Sequence, residues 1–256
     1  MRKARISIFV ISAIAATALL VGSIVILAGE EQEYNDYTNE VEELKIQFSE
    51  SIASAKEQTE EAQANGTSTY SLPENMSGWI AVPGTNIDYP LMTASDDFYL
   101  NHNPYGKRSS LGSIFYYNSQ SLSGDNPNKN VVIYGHRISN SRMFGYLDVI
   151  CRRGLINDPS QNTVVITTQD GVYYYEMFST YFANISENFG RVNFANSEDF
   201  ISYCKFLLNR SDTQKTSDVS FAAADRIITL VTCARGNNDD RRAVVHAKLV
   251  SFEPST

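Results

Sequence analysis

From Gly78 onward the sequence is a series of short apolar runs separated by polar turns, and this pattern limits the fold more than any other feature. Short runs rich in valine, isoleucine, threonine and tyrosine are typical of β-strands. Eight such runs predict eight strands, at residues 79–82, 87–92, 112–116, 130–134, 163–168, 172–181, 226–232 and 242–252. About 190 residues with this pattern suit one mainly β domain, a closed eight-stranded β-barrel.

Three segments between the strands have helical patterns and predict peripheral helices at residues 95–100, 143–150 and 197–209. The third, SEDFISYCKFLLN, begins with a serine that can cap a helix and has acidic residues in its first turn. It connects the sixth and seventh strands, where a helix can cover the barrel.

The chain begins with Arg2, Lys3 and Arg5, followed by 23 residues without a charge. A helix of that length can cross about 30 Å of hydrocarbon, so we predict a transmembrane anchor at residues 6–28. A cleaved signal peptide is the alternative, although its apolar core is typically about 7–15 residues long. Basic flanks stay on the cytoplasmic side, which predicts a cytoplasmic segment at residues 1–5 and an extracellular remainder.

Much of the negative charge follows the predicted anchor directly. Residues 30–66 contain 11 acidic residues and two lysines, while the whole chain has a net charge of −8. We predict an acidic helical stalk at residues 29–66, a linker at 67–77 and the barrel domain at 78–256. The barrel domain is nearly neutral, so we expect no nucleic-acid partner.

An apolar stripe runs along the predicted stalk helix. Its members recur at three- and four-residue steps and are Tyr34, Tyr37, Val41, Leu44, Phe48 and Ile52. Such a stripe can form the seam of a coiled coil, or it can pack against the chain's own domain, which is the interpretation we favour.

Three cysteines follow the predicted anchor, and an odd number cannot all pair within one chain. Cys151 and Cys204 could form a disulfide, but the helical pattern around Cys204 favours a core position. The sequence has no Cys-x-x-Cys pair and no histidine and cysteine cluster with metal-ligand spacing. We therefore expect no metal and no cofactor.

A cysteine, a histidine and an arginine stand at the ends of predicted strands. Cys233 ends the run IITLVTC, and Arg242 opens the next strand after the polar turn ARGNNDD. His136 ends the run VVIYGH. A cysteine in such a place is more often an inert apolar residue than a nucleophile. Cysteine, histidine and arginine together, however, are sufficient for acyl transfer.

Several motifs resemble those of sortases, and of class B sortases most closely. TLVTC at residues 229–233, the arginine that opens the next strand, and YGH ending at His136 resemble the sortase pattern of TLxTC, arginine and histidine. GSIFYY at residues 112–117 and the closing RAVVHAKLV also resemble class B members. The resemblance covers residues 78–252.

The resemblance implies a sortase-like barrel and a cysteine transpeptidase of Gram-positive cell walls. Cys233 would attack the carbonyl after the threonine of an NPxTx-type sorting signal in a secreted protein, and a thioacyl enzyme would form. His136 would be the general acid and base, and Arg242 would stabilise the oxyanion. The implied acceptor is an amine of a peptidoglycan cross-bridge or of a lipid-linked precursor at the cell membrane.

The resemblance also implies that the helix at residues 197–209 helps to wall a substrate groove, and it implies four substrate-binding residues. Leu100, Ile185 and Phe189 fall where class B enzymes have apolar or aromatic groove positions. Val231 stands where the family often has a serine, and Asp96 stands where an asparagine can occur. These two departures bear on which sorting motif the chain recognises.

Strand alternation separates two neighbouring arginines. The apolar residues of the last strand recur at every second position and predict its core face: Ala243, Val245, Ala247 and Leu249. Arg241 then lies on the core side, and Arg242 lies on the opposite face together with Val231 and Cys233. His246 shares the Arg242 face about 13 Å further along the strand, which makes His136 the better catalytic candidate. His102 falls in a turn, where a hydrogen-bonding role is the more common one.

Two other enzyme functions use the same residues. A thiol peptidase would release the acyl group to water, and a pilin-polymerising sortase would transfer it to a lysine of another protein. A membrane-tethered binding module without chemistry is a further alternative, and it predicts an unreactive cysteine.

Overall fold

The structure is a computed structural model that describes residues 2–61, 72–233 and 240–255. Within those ranges, no side chain is described for residues 2–15, residues 55–61 and Cys233. The chain divides into two compact units, Met1–Glu43 and Leu44–Thr256.

Helix α1 (Arg2–Glu61) begins the chain. In the second unit its Leu44 and Phe48 are buried, and the Phe48 ring stacks on Trp79 with 6.2 Å between ring centroids. Lys45 forms an ion pair with Asp88. These contacts agree with the interpretation that the apolar stripe packs on its own domain.

In the part of the chain that the structure describes, we find no helix with the length and apolar character needed to span a membrane. The predicted anchor falls partly on residues 6–15, whose side chains lie outside the described ones.

The described residues confirm the predicted barrel. The strands are β1 (Met76–Val82), β2 (Ile87–Ala94), β3 (Ile114–Tyr117), β4 (Asn130–His136), β5 (Thr163–Thr168), β6 (Gly171–Asn184), β7 (Ile227–Cys233) and β8 (Arg241–Pro254). They form one closed sheet in the order β1-β2-β3-β4-β7-β8-β6-β5. Each predicted strand is present, and β6 and β8 extend further than predicted because they pair along almost their whole length.

Two strand pairs are parallel, β2 with β3 and β4 with β7. The register of β4 and β7 runs from Asn130 beside Ile227 to His136 beside Cys233. Both strands therefore end at the same rim of the barrel. Strands buried on both sides are expected to be continuous β-branched runs, as the sequences of β4 and β7 are.

The barrel core is built from one face of the strands. Val131 and Ile133 of β4 pair with Ile228 and Leu230 of β7, and Leu230 pairs with Val245 of β8. Each of these residues is at most 1% exposed. Burying an aliphatic side chain of this kind stabilises the fold by about 1.5–3 kcal/mol.

Helix α2 (Gly145–Arg153) lies in the connection between β4 and β5, and helix α3 (Ser197–Arg210) lies in the connection between β6 and β7. Helix α2 begins two residues later than predicted because Met143 has a φ of +50°, which is not helical. Helix α3 agrees with the prediction except for its cap. The capping side chain is Asn196, which accepts a 3.0 Å hydrogen bond from the Asp199 amide, and not the predicted serine.

The helix predicted at residues 95–100 is reduced to a 3₁₀ turn, Phe98–Leu100. Its length is limited because the Asp96 carboxylate accepts a 2.9 Å hydrogen bond from the Phe98 amide. Aspartate side chains that bond the backbone two residues later favour turns over longer helices.

The connection between β6 and β7 covers the sheet face opposite the core. Helix α3 packs its apolar side on Phe178 and Ile227, using Phe200, Tyr203, Cys204 and Leu207. The loop at residues 185–196, which leads into α3, carries Phe189 and Val192 onto the neighbouring part of the same face.

Candidate active site at the barrel rim

The site is built where parallel strands end side by side. His136 closes β4, Cys233 closes β7, and their Cα atoms are register partners. Neighbouring strands lie about 4.8 Å apart, so the two residues are adjacent at the rim. The side chain of Cys233, predicted as the nucleophile, lies outside the described residues.

The imidazole of His136 is held by a backbone carbonyl. The ring is buried, and Nε2 lies 2.6 Å from the Leu100 oxygen. A carbonyl oxygen can only accept, so Nε2 carries the proton and donates it to this bond. In a neutral imidazole Nδ1 is then the basic nitrogen, which is the form a general base requires.

Gly112 allows that arrangement, and its role could not be inferred from the motif alone. Its φ is +62°, and a Cβ atom added there would lie 2.7 Å from the Leu100 oxygen and 3.0 Å from Cδ2 of His136. It would also lie 2.6 Å from the Tyr99 oxygen. The first residue of GSIFYY is therefore a glycine because the backbone approaches the histidine and its acceptor closely.

Arg241 and Arg242 lie on opposite faces of β8. Arg242 pairs with Ala183 of β6 and is half-buried, and its guanidinium donates a 3.2 Å hydrogen bond to the Arg241 carbonyl. Val244 lies two residues after Arg242 in β8, so the two side chains share one face of the strand. Val244 pairs with Val231 of β7. The paired register ends at Val231 and Val244, and beyond it the Ala243 amide donates a 3.1 Å hydrogen bond to the Thr232 hydroxyl.

Two of the predicted substrate-binding residues share one apolar cluster. Phe189 and Val231 pack in a cluster whose buried members include Val132, Tyr181 and Val244. Val231 is only 2% exposed, so it contributes to the floor of this face and offers little surface of its own.

The other two predicted residues lie apart from each other. Leu100 packs beside a second cluster that contains Tyr99 and Phe115, and Tyr134 touches both clusters. Ile185 is 55% exposed at the start of the loop after β6, where its amide donates a 2.8 Å hydrogen bond to the Asp240 carbonyl. Leu100, Phe189 and Val231 thus border one apolar and aromatic region that is joined through Tyr134, and Ile185 belongs to neither of its two clusters.

The remaining histidines do not lie at the strand ends. His246 is fully buried, and its ring nitrogens face the Thr229 hydroxyl at 2.9 Å and the Tyr181 hydroxyl at 3.0 Å. Burial lowers the pKa of His246 to about 3, so it is neutral. His102 stacks on Phe98, and its Nδ1 lies 2.7 Å from the Phe98 oxygen.

The two other cysteines are structural. Cys151 and Cys204 are both buried free thiols, so they do not form the disulfide that the sequence left open. Burial raises the pKa of each thiol to about 12, which suppresses the reactive thiolate. Among the described residues, no group of three histidine, cysteine or acidic side chains could hold a metal ion.

Known proteins are similar to this chain over the region that contains the site residues. Residues 80–250 match the family model of the Sortase domain. Sortase B of Listeria monocytogenes is 32% identical over 186 residues, which cover 70% of this chain and 72% of that protein. Sortase B of Staphylococcus aureus is 28% identical over 179 residues, covering 69% of this chain and 71% of that protein.

Solved structures have the same fold. A Staphylococcus aureus sortase B-substrate complex superimposes with a TM-score of 0.72 at 25% identity, covering 86% of this chain and 98% of that one. Clostridium perfringens sortase B superimposes with a TM-score of 0.62 at 32% identity, covering 69% of this chain and 94% of that one.

Proposed function

The chain belongs to the sortase family as a class B cysteine transpeptidase, and we propose that it attaches secreted proteins to the cell wall through the rim residues described above. The donor is a C-terminal sorting signal of NPxTx type. The acceptor is an amine of a peptidoglycan cross-bridge or of its lipid-linked precursor. The enzyme works outside the cell, held to the membrane by residues 6–28.

In the first half-reaction the Cys233 thiolate attacks the carbonyl carbon of the signal's threonine. The carbon–sulfur bond forms, the peptide bond to the next residue breaks, and His136 gives a proton to the leaving amine. Support for this role comes from the Leu100 carbonyl, because its bond with Nε2 orients the ring and leaves Nδ1 for proton transfer.

Arg242 acts on the charge that develops during this attack. The carbonyl oxygen becomes an oxyanion, and a guanidinium near it stabilises the transition state more than the ground state. The β8 register supports this role, since Arg242 occupies the face of Val244 and Arg241 does not.

In the second half-reaction the acceptor amine attacks the thioester carbonyl and gives its proton to His136. The carbon–nitrogen bond forms, the carbon–sulfur bond breaks, and the thiolate is released. Leu100, Ile185, Phe189 and Val231 form the binding region for the sorting peptide.

The parallel register of β4 and β7 carries this proposal, because it makes Cys233 and His136 neighbours at one rim. The test is a peptide assay with an NPxTx-type signal, in the presence of hydroxylamine or oligoglycine, analysed by mass spectrometry. Wild-type protein should form the threonine hydroxamate and the glycine conjugate, and Cys233→Ala should form neither.

A second peptide, in which valine replaces the signal's threonine, is the matched control substrate. Hydrolysis alone, with no diversion to either amine, would favour the thiol peptidase. A lysine side chain of another protein as the preferred amine would favour the pilin-polymerising alternative. An unreactive thiol and no product from any peptide would reject catalysis altogether.

A further inference from the structure

A row of buried polar side chains crosses four neighbouring strands on the sheet face opposite the core. Its members, which we call the polar row, are Asn130 of β4, Thr229 of β7, His246 of β8 and Tyr181 of β6. Each is at most 1% exposed, and Thr229 and His246 are direct register partners. Burying polar side chains costs free energy unless each finds a hydrogen-bond partner, and here each does.

The loop after β6 sets the direction of these hydrogen bonds. The Arg191 carbonyl can only accept, so Asn130 donates to it from Nδ2 at 2.8 Å and turns Oδ1 toward Thr229. Thr229 therefore donates its single hydroxyl proton to Asn130 Oδ1 at 3.0 Å. Toward His246, whose Nδ1 lies 2.9 Å away, the Thr229 oxygen can then only accept. The imidazole proton is therefore on Nδ1.

The other ring nitrogen completes the polar row. Burial lowers the pKa of His246 to about 3, so the ring is neutral and Nε2 is an acceptor. Burial also raises the pKa of Tyr181, so the phenol keeps its proton and donates it to Nε2 at 3.0 Å. Four hydrogen bonds thus run in one direction, from the Tyr181 hydroxyl to the Arg191 carbonyl. His246 is the Nδ1–H tautomer, the opposite of that held at His136.

The final acceptor belongs to the loop at residues 185–196. Both peptide groups of Arg191 are bonded, because its amide donates a 3.2 Å hydrogen bond to the Tyr203 hydroxyl of helix α3. The residue before it, Gly190, lies on β4, where an added Cβ would be 3.6 Å from Cγ2 of Val132. This part of the loop is therefore attached directly to the sheet through the polar row.

Phe189 is next to this attachment in the chain. It packs on the cluster that contains Val231 and Val244, two strand residues of the region in which we place the sorting peptide. Tyr181, at the other end of the polar row, is a buried member of the same cluster. The polar row therefore joins the floor of the peptide-binding region to the loop that lies on it.

We propose that His246 is a positioning residue for the sorting peptide: as a link of the polar row, it keeps Phe189 and its loop in the conformation that binds the peptide. The inference rests on the proposed transpeptidase function and adds a residue remote from the chemistry. His246 lies four residues after Arg242 in β8, about 13 Å along the strand. Interrupting the polar row should therefore weaken peptide binding and spare the chemical step.

Thr229→Val interrupts the polar row with a side chain of similar shape that has no hydroxyl. The Nδ1–H of His246 and Oδ1 of Asn130 then face a methyl group. Hydrogen exchange of the amides at residues 188–191 should accelerate by about 3- to 10-fold, the effect of losing one net hydrogen bond. KM for an NPxTx-type peptide should rise by a similar factor, while kcat changes by less than about 2-fold.

His246→Phe should have the same effect, because it removes both ring nitrogens. In the double variant Thr229→Val, His246→Phe, KM should rise little further than in either single variant, since both substitutions interrupt one row. A KM that rises by the product of the two single effects would overturn the inference.

Two threonine variants are the controls. Thr229→Ser keeps the hydroxyl and should have nearly the wild-type KM and loop exchange. Thr180→Val is the matched control, because Thr180 is equally buried and its hydroxyl has no hydrogen-bond partner among the described residues. It should behave as the wild type. A rise in KM for Thr180→Val equal to that for Thr229→Val would overturn the inference.

Nitrogen-15 NMR of the wild type tests the polar row without any substitution. The chain has three histidines, and the ring signals of His246 are identified by their absence from His246→Phe. At about pH 7 they should show a protonated Nδ1 and an unprotonated Nε2. A protonated Nε2 would contradict the direction of the row and overturn the inference.

Unchanged loop exchange in Thr229→Val would also overturn the inference, as would a fall in kcat at constant KM. Faster exchange throughout the barrel with an unchanged KM would do the same, because the polar row would then contribute to stability alone. Hydroxylamine trapping separates the two levels. Failure of the wild type to form the hydroxamate would reject the proposed function and this role together, whereas normal trapping with an unchanged KM in Thr229→Val would reject only the inference.

Discussion

At the scale of single residues, Arg241 and Arg242 illustrate how strand alternation gives neighbouring identical side chains different surroundings. Arg242 lies on the face of Val244 and Ala183, next to the ends of β4 and β7. Arg241 lies over Phe182 on the other face. We therefore expect Arg242, and not Arg241, to reach an oxyanion formed at Cys233.

We expect Arg242→Ala to lower the rate of acylation by about 10²- to 10³-fold, the usual effect of removing one oxyanion donor. Arg241→Ala should lower acylation far less. Pre-steady-state acylation with one sorting peptide measures both variants. Equal losses, or a larger loss for Arg241→Ala, would contradict the assignment.

Gly112 offers a second test, because its backbone supports His136. Gly112→Ala forces either the Leu100 carbonyl or the imidazole away, so kcat/KM for acylation should fall by at least about 10-fold. Gly124→Ala is the matched control: its φ is +81°, and an added Cβ would meet no atom within 4 Å. Both variants carry a similar backbone strain of about 1 kcal/mol, so only Gly112→Ala should lose activity beyond its loss of stability.

If the loss of activity in each glycine variant is explained by the decrease in its free energy of unfolding, then Gly112 has only a structural role. The pH profile gives an independent readout. A misplaced imidazole should shift the pH dependence of acylation in Gly112→Ala and leave that of Gly124→Ala as in the wild type.

His246 predicts how stability depends on pH. Its pKa is about 3 when folded and about 6.5 when unfolded, so below pH 6.5 the unfolded state binds a proton that the folded state does not. Its stabilising contribution is complete above pH 6.5 and is lost as the pH falls toward 3. Between pH 7 and 5 the loss is about 2 kcal/mol.

Urea unfolding at pH 7 and pH 5 measures this contribution. The wild type should lose about 2 kcal/mol more than His246→Gln over that interval, because glutamine does not titrate. The same change in both proteins would show that another group controls the pH dependence.

At the scale of elements, the loop at residues 185–196 is held to helix α3 at two points. Near one end, Arg210 of α3 donates a 3.0 Å hydrogen bond from Nε to the Glu187 carboxylate and also bonds the Phe182 carbonyl. Near the other, Arg191 donates a 2.9 Å hydrogen bond from Nη1 to Asp199. These pairs keep Phe189 on the cluster that contains Val231 and Val244.

Arg210→Met should loosen this loop, because it removes the guanidinium that bonds Glu187 and lies 4.5 Å from the centroid of the Tyr181 ring. We expect KM for the sorting peptide to rise by about 3- to 10-fold, with a smaller change in kcat, because loop order affects binding more than the chemical step. Lys205→Met, on the exposed side of α3, is the control and should behave as the wild type. A fall in kcat with unchanged KM would contradict a role in peptide binding.

At the scale of the whole molecule, charge and hydropathy are unevenly distributed along the chain. Three basic residues precede 23 uncharged ones, and 11 acidic residues follow within positions 30–66. This order favours retention of the N-terminus in the cytoplasm and export of the remainder. A transpeptidase of surface proteins also requires its active site on that outer side.

Protease added to intact, wall-stripped cells should therefore degrade the barrel domain and leave a cytoplasmic marker protein intact. Replacing Arg2, Lys3 and Arg5 with glutamine should reduce the degraded fraction, because the basic flank sets the orientation. A barrel domain that is protected until the cells are lysed would contradict this topology.

The sequence by itself determined the features that depend on local patterns. Alternating and β-branched runs placed all eight strands, since side-chain periodicity is a property of the strand itself. The motifs around His136, Cys233 and Arg242 indicate the family, and the alternation of the last strand is enough to assign Arg241 and Arg242 to opposite faces. Acidic residues in the first turn and apolar spacing identified helix α3.

Only the tertiary structure decided which distant segments meet. The Leu100 carbonyl lies 36 positions from His136 in the chain, and Gly112 matters because both approach it in space. A cavity at the barrel rim joins Asp148 of α2, Phe182 of β6 and Thr232 of β7, which share no sequence motif. Such contacts depend on strand register and barrel closure, which are set by the sum of many packing interactions and not by any local pattern.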